Sequence, residues 1–253
     1  MDTIQRAKYE YCLSIGDSAL ILSQRLSEWC GHGPLLEEDI ALTNISLDLL
    51  GQARNFLTLA AEIEGAGKTE DTLAYFRESL DFRNLLITEL PNTDYAYTMT
   101  RQFFYDVYMY LLFDKLKDSP DEKIAAISGK SFKEITYHLR HSSYWMRCFG
   151  QGTDESKSKV QTAVNNLWAY TGDFFDVNVH TQALVEMDIV PDPQVLAQEW
   201  HLKVKELFDM ASIQMPESRY MHLGGRQGKH TEHLSHLLAE MQSVQRAHPG
   251  LEW

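Results

Sequence analysis

Asp48-Leu49-Leu50-Gly51-Gln52 and Lys133-Glu134-Ile135-Thr136-Tyr137-His138 lie inside two long runs of helical apolar period. Residues three apart share one face of a helix, so a Glu-x-x-His pair in each of two bundle helices can aim carboxylate and imidazole at one metal centre. Here the positions three before the imidazole sites are Leu49 and Ile135, and the first imidazole site is itself Gln52. Only His138 keeps its donor. The layout is that of a bundle-core metal site filled in with apolar side chains, which points to a helical subunit supporting chemistry done elsewhere.

Outward from these segments, apolar residues recur at helical spacing almost throughout, and no run alternates as a strand would. The period predicts helices over 4–30, with Leu13, Leu20, Leu26 and Trp29 inward, and over 37–64, closed by Gly65-Ala66-Gly67. Thr69 is placed to cap a short helix, and another is expected at about 81–90, broken at Pro91-Asn92. Further helices are expected over 95–117, 121–149, from Thr153 to about 172, over 192–214 and over 230–247; no element is assigned to 173–191. Long helices joined by short Gly/Pro breaks, with no repeat period and no Ser/Gly linker, predict an all-α fold. It is expected to be an up-down helical bundle with additional C-terminal helices, forming a single domain over 1–253.

Composition narrows the function classes. At 253 residues with 44% hydrophobic content, the chain can bury a substantial core, so disorder is excluded for the whole. The 23 basic against 36 acidic residues leave a net charge of −13, with no Lys/Arg cluster, which argues against a nucleic-acid partner. Cys12, Cys30 and Cys148 have neither disulfide nor zinc spacing and fit reduced thiols. No stretch has the length to cross a bilayer, and the polar start Met1-Asp2-Thr3-Ile4-Gln5-Arg6 lacks the apolar core of a signal peptide. A cytoplasmic protein is expected.

Other features carry a chemical and a structural alternative. Asp48 and Gln52 are four apart, and Gln52 is a poor ligand for iron, so a packed helix with one buried amide is the simpler account. Glu134 and His138, also four apart, fit an ion pair or a mononuclear metal site. In His138-Leu139-Arg140-His141 only some side chains can face inward, leaving Arg140 or His141 at a surface. The loop Met221-His222-Leu223-Gly224-Gly225-Arg226-Gln227-Gly228-Lys229-His230 is a flexible connector or an anion cradle before a helix opening near Thr231. Phe103, Phe104, Tyr105, Tyr108, Tyr110 and Phe113 cover nearly every face of the 95–117 helix, so that helix is either central or meets another chain. Trp145, Trp168, Trp200 and Trp253 add to the expectation of an interface there. No Gly-x-Ser-x-Gly elbow or comparable nucleophile signature stands out.

Longer segments make the chain recognisable. Leu22-Ser23-Gln24-Arg25-Leu26, Ser27-Glu28-Trp29-Cys30-Gly31-His32, Leu47 through Phe56, Tyr137-His138-Leu139-Arg140, His230-Thr231-Glu232-His233-Leu234 and Leu238-Ala239-Glu240-Met241-Gln242 together resemble the structural, ferritin-like C subunits of bacterial ring 1,2-phenylacetyl-CoA epoxidases (phenylacetate-CoA oxygenases), nearly end to end. The resemblance implies a ferritin-like bundle in a cytosolic complex. In that complex a sister catalytic subunit holds two irons, a small subunit bridges catalytic–structural pairs, and a separate reductase delivers electrons from NADPH. The sister's six-ligand set, carried over position by position, falls on Glu28, Leu49, Gln52, Asp106, Ile135 and His138, of which three lack a ligand-capable side chain. The resemblance therefore implies no cofactor in this chain, with di-iron in the partner subunit, and leaves self-association when alone open. The competing possibility is a metal-binding enzyme in its own right that uses Glu28, Asp106, Glu134 and His138.

Overall fold

The computed structural model describes residues 1–251, so Trp253 lies outside the described residues. The fold is all-α. In chain order the helices are α1 Thr3–Ser27, α2 Leu36–Glu64, α3 Glu70–Tyr75, α4 Leu86–Glu89, α5 Tyr95–Leu116, α6 Glu122–Gln151, α7 Asp154–Leu167, α8 Val179–Val185, α9 Pro193–Ala211, α10 Glu232–Met241 and α11 Ser243–Ala247, and no strand occurs among the described residues. Among the described residues no helix is long and apolar enough to cross a membrane. The chain divides into two compact units. One comprises Met1–Pro91, Asn178–Leu184 and the stretch from Gly224 onward; the other comprises Asn92–Val177 and Val185–Leu223.

The first unit is built on the α1–α2 hairpin. A capping box starts α1, with the Asp2 carboxylate accepting from the Gln5 amide at 2.8 Å and the Gln5 side chain accepting from the Asp2 amide at 3.2 Å. Glu37, Glu38 and Asp39 sit in the first turn of α2, where the helix dipole favours negative charge. Gly65 ends α2 at φ +68°, a conformation glycine adopts without penalty. The two helices interlock where Ser23 Oγ donates to the Ser46 carbonyl and Ser46 Oγ donates to the Ser23 carbonyl, both at 2.8 Å. They approach closely at Gly16, where a Cβ would stand 2.9 Å from Leu57 Cγ. Gly51, mid-helix in α2, has no such duty, since a Cβ there would meet nothing within 4 Å. It costs α2 about 1 kcal/mol relative to alanine.

The helix expected at 81–90 is shorter than its apolar content suggested. The chain makes one 3-10 turn at Ser79–Asp81, runs extended, and forms only the single turn α4. Buried side chains of α1 take the backbone donors that a longer helix would have paired internally. Asp17 accepts from the Arg83 amide at 2.9 Å and from the Arg77 guanidinium, and Ser18 Oγ accepts from the Leu85 amide at 3.0 Å.

The second unit is centred on α5. Phe103, Phe104, Tyr105, Tyr108 and Phe113 are all buried and Tyr110 is half-buried, so of the two alternatives this helix takes the central one. Tyr108 stacks on Phe174 with centroids 4.9 Å apart, and Phe104 lies edge-on to Trp168 at 5.9 Å. Trp200, fully buried, donates Nε1–H to the Phe104 carbonyl at 3.1 Å. The aromatic surplus is consumed inside this unit by α7, α9 and the segment after α7. That segment continues as a 3-10 helix over Trp168–Phe175 rather than as the α-helix expected to about 172. There the Ala169 carbonyl accepts from the His222 amide at 2.8 Å.

Candidate functional site

The six carried-over positions fall three in each unit. On α2, Leu49 and Gln52 share the buried face, at 0% and 1% exposure. The Ser23–Ser46 and Gly16–Leu57 crossings set the aliphatic stretch Leu20-Ile21-Leu22 of α1 opposite Leu49. Glu28 does not join them. It caps α1 beyond the Ser23 crossing, its side chain 44% exposed, and accepts from Arg25 Nη1 at 2.8 Å. Helix register accounts for this: α1 runs past the layer of Leu49 before it reaches position 28.

On the second unit, Asp106 of α5 and Ile135 and His138 of α6 are all fully buried. Asp106 accepts from Gln102 Nε2 and from Ser142 Oγ, each at 2.7 Å. Burial pushes its carboxyl from an ordinary value of 3.8 up to about 7, against the opposing pull of the His138 charge and the two hydrogen bonds. Glu134, one turn before His138, is only half-buried, and Arg140 is exposed, its guanidinium 5.5 Å from the Tyr137 ring centroid. Buried Asp106 and His138 thus form a small polar island completed by Gln102 and Ser142, in a helix face otherwise set by Ile135.

At the two carboxylate positions that the resemblance implies, Leu49 and Ile135 offer a metal no donor atom. Among the described residues no three His, Cys, Asp or Glu side chains are grouped as a metal ion requires. Of the alternative set Glu28, Asp106, Glu134 and His138, Asp106 lies within electrostatic reach of His138 in the second unit, and Glu28 belongs to the first.

The raised Asp106 carboxyl gives a pH signature. The folded chain holds this proton more tightly than the unfolded one, so the stabilisation is complete below about pH 4 and is lost as pH climbs through about 7. Asp106→Asn keeps an acceptor and a donor for Gln102 and Ser142 and removes the titration. Its stability relative to wild type should rise by on the order of 3 kcal/mol between about pH 4 and pH 8. Urea midpoints across that range measure it, and a flat difference would mean that the folded carboxyl titrates where the unfolded one does.

The 221–230 loop is a connector. Gly224 and Gly228 adopt φ +109° and +78°, bracketing a one-turn 3-10 helix. Arg226 turns inward and donates Nε–H to Ser14 Oγ at 3.1 Å. His230 Nε2 lies 3.0 Å from the Phe82 carbonyl, its Nδ1 lies 3.3 Å from Glu89 Oε1, and Thr231 Oγ1 donates to Glu89 Oε2 at 3.2 Å. Arg226 is thus spent on the first unit's interior and His230 and Thr231 on buried Glu89, while Lys229 is exposed. Residue types alone could not distinguish this, because direction in a glycine loop depends on φ values that sequence does not set.

A family model described as phenylacetic acid catabolic protein matches residues 1–253. The C subunit of the 1,2-phenylacetyl-CoA epoxidase of Escherichia coli (strain K12) is 49% identical to the chain over 243 residues, covering 96% of the chain and 98% of that protein. Matched over its whole length, and with a relative this similar, the chain belongs to the phenylacetic acid catabolic protein family.

Proposed function

We propose that the chain is the non-catalytic structural subunit of a cytoplasmic multicomponent oxygenase that epoxidises the ring of phenylacetyl-CoA in aerobic phenylacetate catabolism. In this role it stabilises the di-iron catalytic subunit, is bridged to other pairs by a small subunit, and meets the reductase only indirectly. The observation that carries the proposal is the burial of Leu49 and Ile135 at the two carboxylate positions, in a chain 49% identical to a protein named as the C subunit of such an epoxidase. A scaffold keeps the helical bundle and dispenses with the ligands. Aliphatic side chains in the ligand layer stabilise the fold without metal, whereas buried carboxylates would need metal to offset their desolvation.

Purified after aerobic expression with added iron, the chain should carry well under one iron per molecule by elemental analysis. The catalytic subunit expressed alone should be poorly soluble or inactive, and adding this chain should restore turnover of phenylacetyl-CoA without adding metal. Near two irons per chain would favour the enzyme alternative. Equal turnover by the catalytic subunit with this chain absent would remove the scaffold role.

A further inference from the structure

With α5 consumed inside its own unit, one run of exposed apolar residues follows a single face of α2. Leu36, Ile40, Leu47 and Leu50 are 74%, 52%, 59% and 40% exposed. Their spacing alternates steps of four and three once Thr43 is included, the repeat of a seam that packs against another helix. Leu47, Leu50, Gly51 and Arg54 stand at i, i+3, i+4 and i+7, the four corners of the hole that receives one side chain from a facing helix. They open onto a groove of about 410 Å3 between α2 and α3. Gly51, one of these corners, has open space above it, although glycine weakens a helix interior. Nothing within 4 Å requires the missing side chain, which leaves the opening free for an element from outside the chain.

Charge selects the occupant. Arg54 is already paired with Glu70 at 3.2 Å, while Glu37 near the start of the seam and Asp71 at the groove's rim form no ion pair among the described residues. A facing helix with Lys or Arg beside its apolar ridge would complement these acids. A second copy would instead bring another −13 to the contact.

Resting on the structural-subunit function above, we propose that the α2 seam docks a helix of the catalytic subunit, which inserts one large apolar side chain over Gly51 and carries basic residues alongside it. The test co-expresses the catalytic subunit with wild-type chain, Gly51→Leu or Ile40→Glu, and follows size-exclusion chromatography, pair dissociation constants and thermal melts of each chain alone. Gly51→Leu fills the hole with a better helix former. Alone it should melt at or above the wild-type temperature, yet it should bind its partner about 30-fold or more weakly. Ile40→Glu should fold normally and weaken the pair in the same way. If the wild-type pair forms and both variants pair equally well, the seam is not the interface, although the subunit role stands. If the wild-type pair never forms, the subunit role falls and this docking falls with it. A wild-type homodimer broken by Gly51→Leu would make the occupant a second copy and overturn the proposal. A Gly51→Leu chain that melts well below wild type would show that the hole is filled from within, which also overturns it.

Discussion

Restoring the metal donors through Leu49→Glu, Gln52→His and Ile135→Glu is expected to destabilise the metal-free chain by several kcal/mol, on the order of half its total stability or more. Leu49 and Ile135 are both at 0% exposure, so each substitution removes well-packed aliphatic contacts and places a carboxyl group where water cannot reach it. Each carboxyl would either ionise at a large desolvation cost or stay protonated with its hydrogen bonds unmet. Gln52→His adds a further imidazole to a chain that already buries those of His138 and His230. Urea melts with and without ferrous iron provide the measurement. A metal-free triple variant as stable as the parent would mean that these positions do not lie in the core, and partial recovery on adding iron would show that the ligand geometry persists beneath the aliphatic replacements.

Tyr108→Glu should have an effect of similar size, about 4 kcal/mol or more, and it should appear as unfolding rather than as loss of a partner. Read along the helix, Tyr108 is one of six aromatics that no single core contact could use, which made it a candidate outward residue. In the folded chain it is 3% exposed, stacked on Phe174 and edge-on to Phe175 with centroids 5.8 Å apart. A glutamate there would lose both ring contacts and bury a charge among aromatics. Near-ultraviolet circular dichroism and the urea midpoint of the isolated variant decide the matter. A variant that keeps the wild-type midpoint would return Tyr108 to the surface and reopen α5 as an interface.

The contrast between α5 and α2 shows where sequence patterning stops. A hydrophobic residue is legible as such, but whether its partner comes from its own chain is decided by elements far away in sequence. Phe174 and Trp200, which occupy the α5 aromatics, lie more than sixty positions after Tyr108. The exposed leucines of α2 are equally apolar, yet Leu47 and Leu50 line an open groove against α3 and remain 59% and 40% exposed. Local period gives both helices the same inward-looking appearance, and only packing separates a satisfied face from an open one.

What the sequence alone determined is what depends on short-range rules. The all-α class follows from the 3.6-residue period, the α2 end from Gly65, the α3 start from Thr69, and the filled ligand pattern from Leu49, Gln52 and Ile135 standing in helical register. Tertiary structure decided whatever required a partner distant in sequence. Asp17 and Ser18 on α1 capture the backbone donors of Arg83 and Leu85 and so shorten the helix expected at 81–90. The Ser23–Ser46 interlock sets the α1–α2 register that leaves Glu28 exposed, and Ser14 and Glu89 draw Arg226 and His230 inward from a loop that had the residues of an anion cradle. In each case a buried polar group must be satisfied, and the group that satisfies it is chosen by the fold, since hydrogen bonding inside a core is obligatory while its partner is not encoded locally.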